Sequence, residues 1–310
     1  MNNFVYTLTL RNRTLSLTRE GLGFILLLFG VGLGAINTGN NLLYLVLAMC
    51  CSFIAVSGVL SELSFRNLVV KAKGPAHLYC NETGTLDFKI TNSKAWSPSF
   101  SIYILLPSDG RYSLEQPPYF FFIPAGETLE KSALFSGNKR GPLQINSCLL
   151  ATRFPFGFYY KTKTIPLNMD MVIFPTLHPV QLPPKNESIQ EGEGTLQTRG
   201  EEIYAVREFR PGDSLNSVHW KSSAKTGNLR VKEFQSTSEQ SYTVFLNVKE
   251  PGSNKTVKVI EERVSKAASL IYHLVQRGNE VSLKTEEMQT EFGKSESHLK
   301  DLMYQLAFID

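Results

Sequence analysis

The chain has 310 residues, a formal net charge of +4 and four cysteines. Domains run roughly 100–200 residues, so the length accommodates about two of them. The lysines and arginines are dispersed among carboxylates, which argues against a nucleic-acid partner. Cys50 and Cys51 lie inside an apolar run, and Cys80 and Cys148 stand far apart without CxxC spacing. Neither a zinc site nor a disulfide-stapled secreted scaffold is therefore expected.

From residue 21 to residue 61 there is no charged side chain. Two apolar blocks, 22–36 and 42–60, flank the polar island Asn37-Thr38-Gly39-Asn40-Asn41. A bilayer core about 30 Å thick needs roughly 20 residues of helix, which the second block supplies. The first block reaches across if Glu20, Gly21 and the asparagines lie among headgroups. A cleavable signal peptide is disfavoured, because no small-x-small cleavage site follows and a second span comes at once. A soluble buried hairpin would need a surrounding core that the rest of the chain does not offer. Gly30 and Gly34, with Gly32 between them, form a small-xxx-small pair suited to close helix contact within the hairpin. Arg11, Arg13 and Arg19 precede the first span, Arg66, Lys71 and Lys73 follow the second, and the island between carries no charge. The positive-inside rule then puts both termini and the soluble domains in the cytoplasm, with only the asparagine-rich turn outside. In that compartment Cys80 and Cys148 are reduced thiols, whereas an external domain would admit a disulfide between them.

Between residues 65 and 175 the pattern changes to short alternating segments separated by turn residues. Leu86, Phe88 and Ile90 share one strand face at period two, and further strands are predicted over 68–72, 100–106, 120–123 and 128–135. Strands at this spacing without helical periodicity predict an immunoglobulin-like antiparallel β-sandwich. The run Tyr119-Phe120-Phe121-Phe122 reads as core filling, with a ligand platform as the competing possibility. Residues 182–194 form a polar, Pro- and Gly-bearing linker.

The densest chemistry lies in residues 207–225, REFRPGDSLNSVHWKSSAK. Pro211-Gly212-Asp213 is a turn, and Asp213 or Ser214 suits the N-cap of a helix running towards Lys221. Residues 229–234 read as a strand. Arg207, Arg210, Lys221 and Lys225 either present a basic, Trp220-flanked surface to an acidic partner or pair internally with Asp213 and Glu208. Asp213, His219 and Ser223 suggest a hydrolytic or transferase triad, but no G-x-S-x-G elbow accompanies them, and phosphate-binding fingerprints are absent.

Asn-Thr-Gly-Asn-Asn-Leu-Leu-Tyr between the two apolar blocks, Arg140-Gly141 and Phe154-Pro155-Phe156-Gly157 together carry a resemblance. So, above all, does Arg207-x-x-Arg210-Pro211-Gly212-Asp213 with Trp220-x-x-Ser223-Ala224-Lys225. These residues resemble the domain of unknown function 58 family over nearly the whole chain. The resemblance implies a bacterial inner-membrane protein acting beside a MoxR-type AAA+ ATPase, without an established enzymatic activity. It also implies a von Willebrand factor A-like C-terminal part. The apolar run 242–248, the helically spaced Val257, Ile260, Val264, Ala267, Ala268, Ile271, Leu274 and Val275, Gly278 as a C-cap, a strand at 280–284 and a helix at 295–307 fit the start of such a part. Strand, helix, strand predicts a parallel, doubly wound sheet, here truncated. The metal-ion-dependent adhesion motif of such domains is replaced by Asn247-Val248-Lys249-Glu250-Pro251, so no metal is expected.

The organisation expected is a membrane hairpin with its N-terminal segment at 1–64, a β-sandwich at 65–180, a linker at 181–198, and the signature region with the α/β part at 199–310. The function expected is that of a non-enzymatic, membrane-anchored scaffold or adaptor, with the bilayer and a MoxR-type ATPase as partners and no cofactor. The alternatives are catalysis through Asp213, His219 and Ser223, or polysaccharide or peptide binding through the β-sandwich.

Overall fold

Two strands come before the apolar segment, where the sequence reading assigns none. In the computed structural model, which describes residues 4–10, 12–107, 109–180, 196–199, 203–210, 218–234, 241–247 and 257–309, β1 (Phe4–Leu10) pairs antiparallel with β2 (Arg13–Thr18). The chain divides into two compact units, Met1–Phe174 and Pro175–Asp310.

In the first unit β2 runs directly into helix α1 (Arg19–Thr38), capped by the Thr18 hydroxyl, which accepts the Gly21 N–H at 3.0 Å. Gly39, at φ 62°, ends α1, and the Asn40 side chain caps α2 (Asn41–Phe65) by accepting the Leu42 N–H. The polar island therefore contracts to a Gly39-Asn40 turn, because its other residues are helical. At 1.5 Å per residue the 20 residues of α1 span about 30 Å, and the 25 of α2 are longer still. Both are long and apolar enough to cross a bilayer. Leu26, Phe29, Leu33, Ile36, Leu45 and Met49 are exposed, which a core helix of a soluble domain would not permit. The glycine contact differs from the expected pair. A Cβ on Gly30 would meet nothing within 4 Å, while one on Gly32 would meet Leu47 at 3.7 Å and one on Gly34 would meet Leu43 at 3.9 Å. Helical rotation turns Gly30 away from α2, so Gly32 takes the inner position.

Nine further strands follow: β3 (Leu68–Lys73), β4 (His77–Tyr79), β5 (Thr83–Asn92), β6 (Ser99–Leu105), β7 (Tyr112–Leu114), β8 (Tyr119–Ile123), β9 (Thr128–Gly137), β10 (Gly141–Thr152) and β11 (Tyr159–Phe174). One sheet runs β1-β2-β11-β10-β6-β8 with β4 parallel to β11, and the other runs β3-β5-β9-β7. Leu86, Phe88 and Ile90 from the smaller sheet and Ile102, Ile104 and Leu150 from the larger are fully buried in a single apolar core. Two β-rich sheets, antiparallel except at β4, thus share one interior. Cys80 and Cys148 are free thiols within it, and burial pushes the Cys148 thiol up to about 12. Phe120 fills the core as expected, but Phe121 and Phe122 face outward on the edge strand β8.

The hairpin is joined to this unit by its base. The Thr18 hydroxyl donates to the Gly157 carbonyl at 2.7 Å, Phe158 stacks on Phe24 at 4.5 Å, and Phe156 meets Phe53 edge-on at 5.2 Å. The Phe154-to-Phe158 turn therefore packs against both helices. The last turn of α2 carries no basic residue of its own. Cations reach its carbonyls from the sandwich instead: Lys94 Nζ donates to Leu63 at 2.9 Å, Lys161 Nζ to Gly58 at 2.9 Å and Lys163 Nζ to Phe65 at 3.2 Å. Positive charge at carbonyls near a helix C-terminus offsets its partial negative charge. Ser57, Ser61 and Ser64 are buried at the same end, so one face of these turns packs on the sandwich while Val59 stays exposed on the other.

The second unit contains β12 (Leu196–Arg199), β13 (Ile203–Glu208), α3 (Trp220–Thr226), β14 (Arg230–Phe234), β15 (Ser241–Phe245), α4 (Val257–Gln276), β16 (Glu280–Lys284) and α5 (Glu296–Ala307). β15 and β16 are parallel and joined by α4, whose Val264, Ala268, Ile271 and Leu274 are buried. The sheet is mixed rather than wholly parallel, because β12 joins β15 antiparallel as an edge strand. The linker expected at 182–194 lies outside the described residues.

Candidate functional site

The signature region is organised by a two-stranded sheet. β13 and β14 pair antiparallel, Phe209 N–H donates to the Leu229 carbonyl at 2.9 Å, and Val218 forms a bridge with Val231. Val218 is thus held against β14, and α3 begins at Trp220. Its cap is the His219 ring, which accepts the Ser222 N–H on Nδ1 at 3.1 Å and so carries its ring proton on Nε2 when neutral. Asp213 and Ser214, the expected caps, lie outside the described residues, as do Pro211 and Gly212.

Ser223 is the centre of this packing. Its buried hydroxyl donates to the His219 carbonyl at 3.1 Å and accepts the Arg230 N–H at 2.8 Å. One side chain therefore ties the first turn of α3 to the start of β14. The His219 ring and the Ser223 hydroxyl are not hydrogen-bonded to each other, because each is engaged with backbone. Ser223 is 8% exposed, and among the described residues its hydroxyl is hydrogen-bonded to backbone alone.

The other face of α3 is open. Trp220 is 66% exposed, and Lys221, Ala224 and Lys225 are exposed beside it. Trp220 with Ala224, and Lys221 with Lys225, are i,i+4 neighbours, so they present an aromatic and cationic surface together. Arg210 is exposed, whereas Arg207 is half-buried and donates to the Glu208 carbonyl at 3.0 Å. Two lysines and the tryptophan are therefore brought onto one helix, while Arg207 is drawn into the backbone of β13.

Among the described residues no three His, Cys, Asp or Glu side chains converge as metal ligands. At the C-terminal end of β15 the buried Arg263 donates from a terminal guanidinium nitrogen to the Asn247 carbonyl at 3.0 Å. Residues 248–251 of the expected metal-free stretch lie outside the described residues. Sequence reading also missed Arg230, whose N–H completes the Ser223 link; a short polar helix followed by Gly227 and a strand was the signal available.

Residues 205–309 match the family described as Protein of unknown function DUF58. The matched segment takes in β13 from Ala205 onward, α3, β14 and the β15–α4–β16 unit, which is where the Arg, Trp and Lys motifs lie. No curated protein matches the chain. A solved structure, the cupredoxin domain of amoB from Nitrosocaldus yellowstonii, overlaps 41% of this chain and 97% of its own at 12% identity and a TM-score of 0.26. That overlap is too loose to bear on fold or function.

Proposed function

We propose that the chain is a two-pass, membrane-anchored scaffold or adaptor whose DUF58 segment recruits a partner, and that it is not an enzyme. The observation that carries this reading is the hairpin itself. Its apolar surface is exposed along both helices, and both of its ends are fastened to one β-sandwich. A hairpin held at both ends by one folded unit returns to the side it left. The positive charges flanking it support the reading that this side is the cytoplasm of a bacterial inner membrane. We read the sandwich as immunoglobulin-like and the β15–α4–β16 unit as the beginning of a von Willebrand factor A-like part.

The partner surface is the open face of α3. Trp220 offers an exposed aromatic anchor and Lys221 and Lys225 offer charge to an acidic partner. Family resemblance supplies a MoxR-type AAA+ ATPase as the candidate, an associational warrant. The engagement of the Ser223 hydroxyl with backbone is the reason the hydrolytic alternative is set aside.

Affinity purification from membranes tests the proposal, using the full chain and its Lys221→Glu/Lys225→Glu variant as baits. An AAA+ ATPase enriched by the first bait and lost with the second is the expected outcome. Equal recovery with both baits removes the role of α3, and no enrichment over an unrelated membrane bait removes the adaptor reading.

A further inference from the structure

A cavity of about 650 Å³ opens where α2 meets the sandwich, lined by Arg13, Glu62, Arg66 and Lys161 together with Val59 and Leu63. Its position is specific. Val59 is exposed on the apolar helix, whereas Arg66 caps the helix end and Lys161 comes from β11 of the larger sheet. The cavity therefore begins on the apolar surface and ends among cations. Arg13 pairs with Glu62, which neutralises one charge of each sign. Arg66 is exposed and forms no ion pair among the described residues, and Lys161 donates only to the Gly58 carbonyl. Three cations and one carboxylate line the cavity, which leaves it a net charge of +2.

That imbalance has an energetic cost. Burial lowers the Lys161 pKa below the ordinary lysine value, Glu62 partly restores it, and Arg13 lowers it further. An anion seated by Lys161 and Arg66 would offset the net positive charge of the lining, and basic pockets at the ends of membrane helices are suited to lipid headgroups. A soluble anion would leave the apolar side of the cavity empty, whereas a lipid fills it with acyl chain. Trp96, 88% exposed, lines an adjoining cavity of about 180 Å³ that shares Leu63 and Arg66. An exposed tryptophan at this level suits the headgroup layer.

We infer that this cavity binds one anionic phospholipid of the membrane, its phosphodiester held between Arg66 and Lys161 and an acyl chain laid along α2 at Val59. The inference rests on the membrane reading of the hairpin. The site would fix the depth of the sandwich against the bilayer and make its seating sensitive to lipid charge.

The two tryptophans are Trp96 and Trp220, so Trp220→Phe leaves Trp96 as the single reporter. The full chain with that substitution is reconstituted into phosphatidylcholine vesicles containing equal mole fractions of either brominated phosphatidylglycerol or brominated phosphatidylcholine, and Trp96 quenching is measured. Quenching should favour the anionic lipid. Arg66→Gln should reduce the preference about fivefold, the effect of one basic side chain near a charged lipid surface, and Lys161→Gln should act in the same direction. Lys73→Gln, on the exposed end of β3, should leave the preference intact.

The outcomes separate the two readings. A chain that is extracted from the vesicles by alkaline carbonate overturns the membrane placement itself. A chain that stays inserted but is quenched equally by both lipids overturns the lipid site alone. So does a preference reduced as much by Lys73→Gln as by Arg66→Gln, since it would reflect overall charge. A Trp96 response to inorganic phosphate in vesicles of phosphatidylcholine alone, lost in Arg66→Gln, with no preference between the two brominated lipids, assigns the cavity to a free anion and overturns the lipid. Arg66 is exposed, so its variant is read without loss of folding, which thermal melting verifies.

Discussion

Lys94 Nζ lies 2.9 Å from the Leu63 carbonyl at the end of α2, and the same ammonium also donates to the Pro98 carbonyl and the Ser99 hydroxyl. A side chain from the loop after β5 thus satisfies the helix end, although burial and the neighbouring Arg66 lower its pKa. Lys94→Met removes the cation and its three hydrogen bonds, although the Leu63 carbonyl keeps the Arg66 N–H at 3.3 Å. We expect a loss of about 2 kcal/mol, that of a hydrogen bond to a charged group. Thermal melts in detergent against Lys71→Met, at an exposed strand position, check this; equal melting of the two variants would refute it.

Gly21 makes the close approach at the other end of the hairpin. A Cβ there would overlap the Phe158 carbonyl oxygen, whereas a Cβ on Gly23 would meet nothing within 4 Å. Gly21→Ala should therefore destabilise by on the order of 2 kcal/mol, as overpacking against backbone does. Gly23→Ala should be neutral or slightly stabilising through helix propensity. The contrast between the two melting temperatures is the measurement, and a Gly21→Ala protein as stable as Gly23→Ala would mean that the hairpin is not seated on the Phe158 turn.

Ser223→Ala separates a structural from a catalytic serine. Removing the hydroxyl leaves the Arg230 N–H without its acceptor, at a cost of about 1–3 kcal/mol. The expected result is a lowered melting temperature and weaker amide-exchange protection at Arg230. A variant that melts like the parent but loses a measurable turnover would restore the hydrolytic reading.

Cys148 gives the chain a dependence on alkaline pH. Burial pushes its thiol up to about 12 in the fold, against an ordinary thiol value of 9.0. An acid whose folded pKa is raised keeps its full contribution below the unfolded value and loses it as pH rises towards the folded one. Stability should fall between pH 9 and 12 by about 1.4 kcal/mol per pH unit from this group. Tyr112 and Tyr160, also raised by burial, act in the same direction. Denaturant melts of the parent and Cys148→Ala across that range isolate the thiol, since the variant's slope should be shallower. Parallel slopes would show that Cys148 does not titrate with unfolding.

Much of the architecture follows from local pattern. The absence of charge from residue 21 to 61 specifies apolar helices whatever surrounds them. Period-two alternation put Leu86, Phe88 and Ile90 inside, and helical spacing placed Val264, Ala268 and Ile271 on the buried face of α4. These properties depend on neighbours in the chain, so they are written in it. The residue classes of the signature were equally visible, since Trp220, Lys221, Ser223 and Lys225 stand within one short stretch.

What the tertiary structure alone decided are the pairings across long separations. β1 and β2 had no strand assignment because their fate depends on β11, far along the chain, which supplies β2 with a partner. Ser223 reads as a nucleophile, a cap or a surface group until Arg230 is brought beside it. The lysines that reach α2 come from positions 94, 161 and 163, and nothing in their local sequence points to a helix end. Hydrogen bonding and charge compensation act through space, over a few ångströms, so their partners emerge only when folding has closed the loops between them.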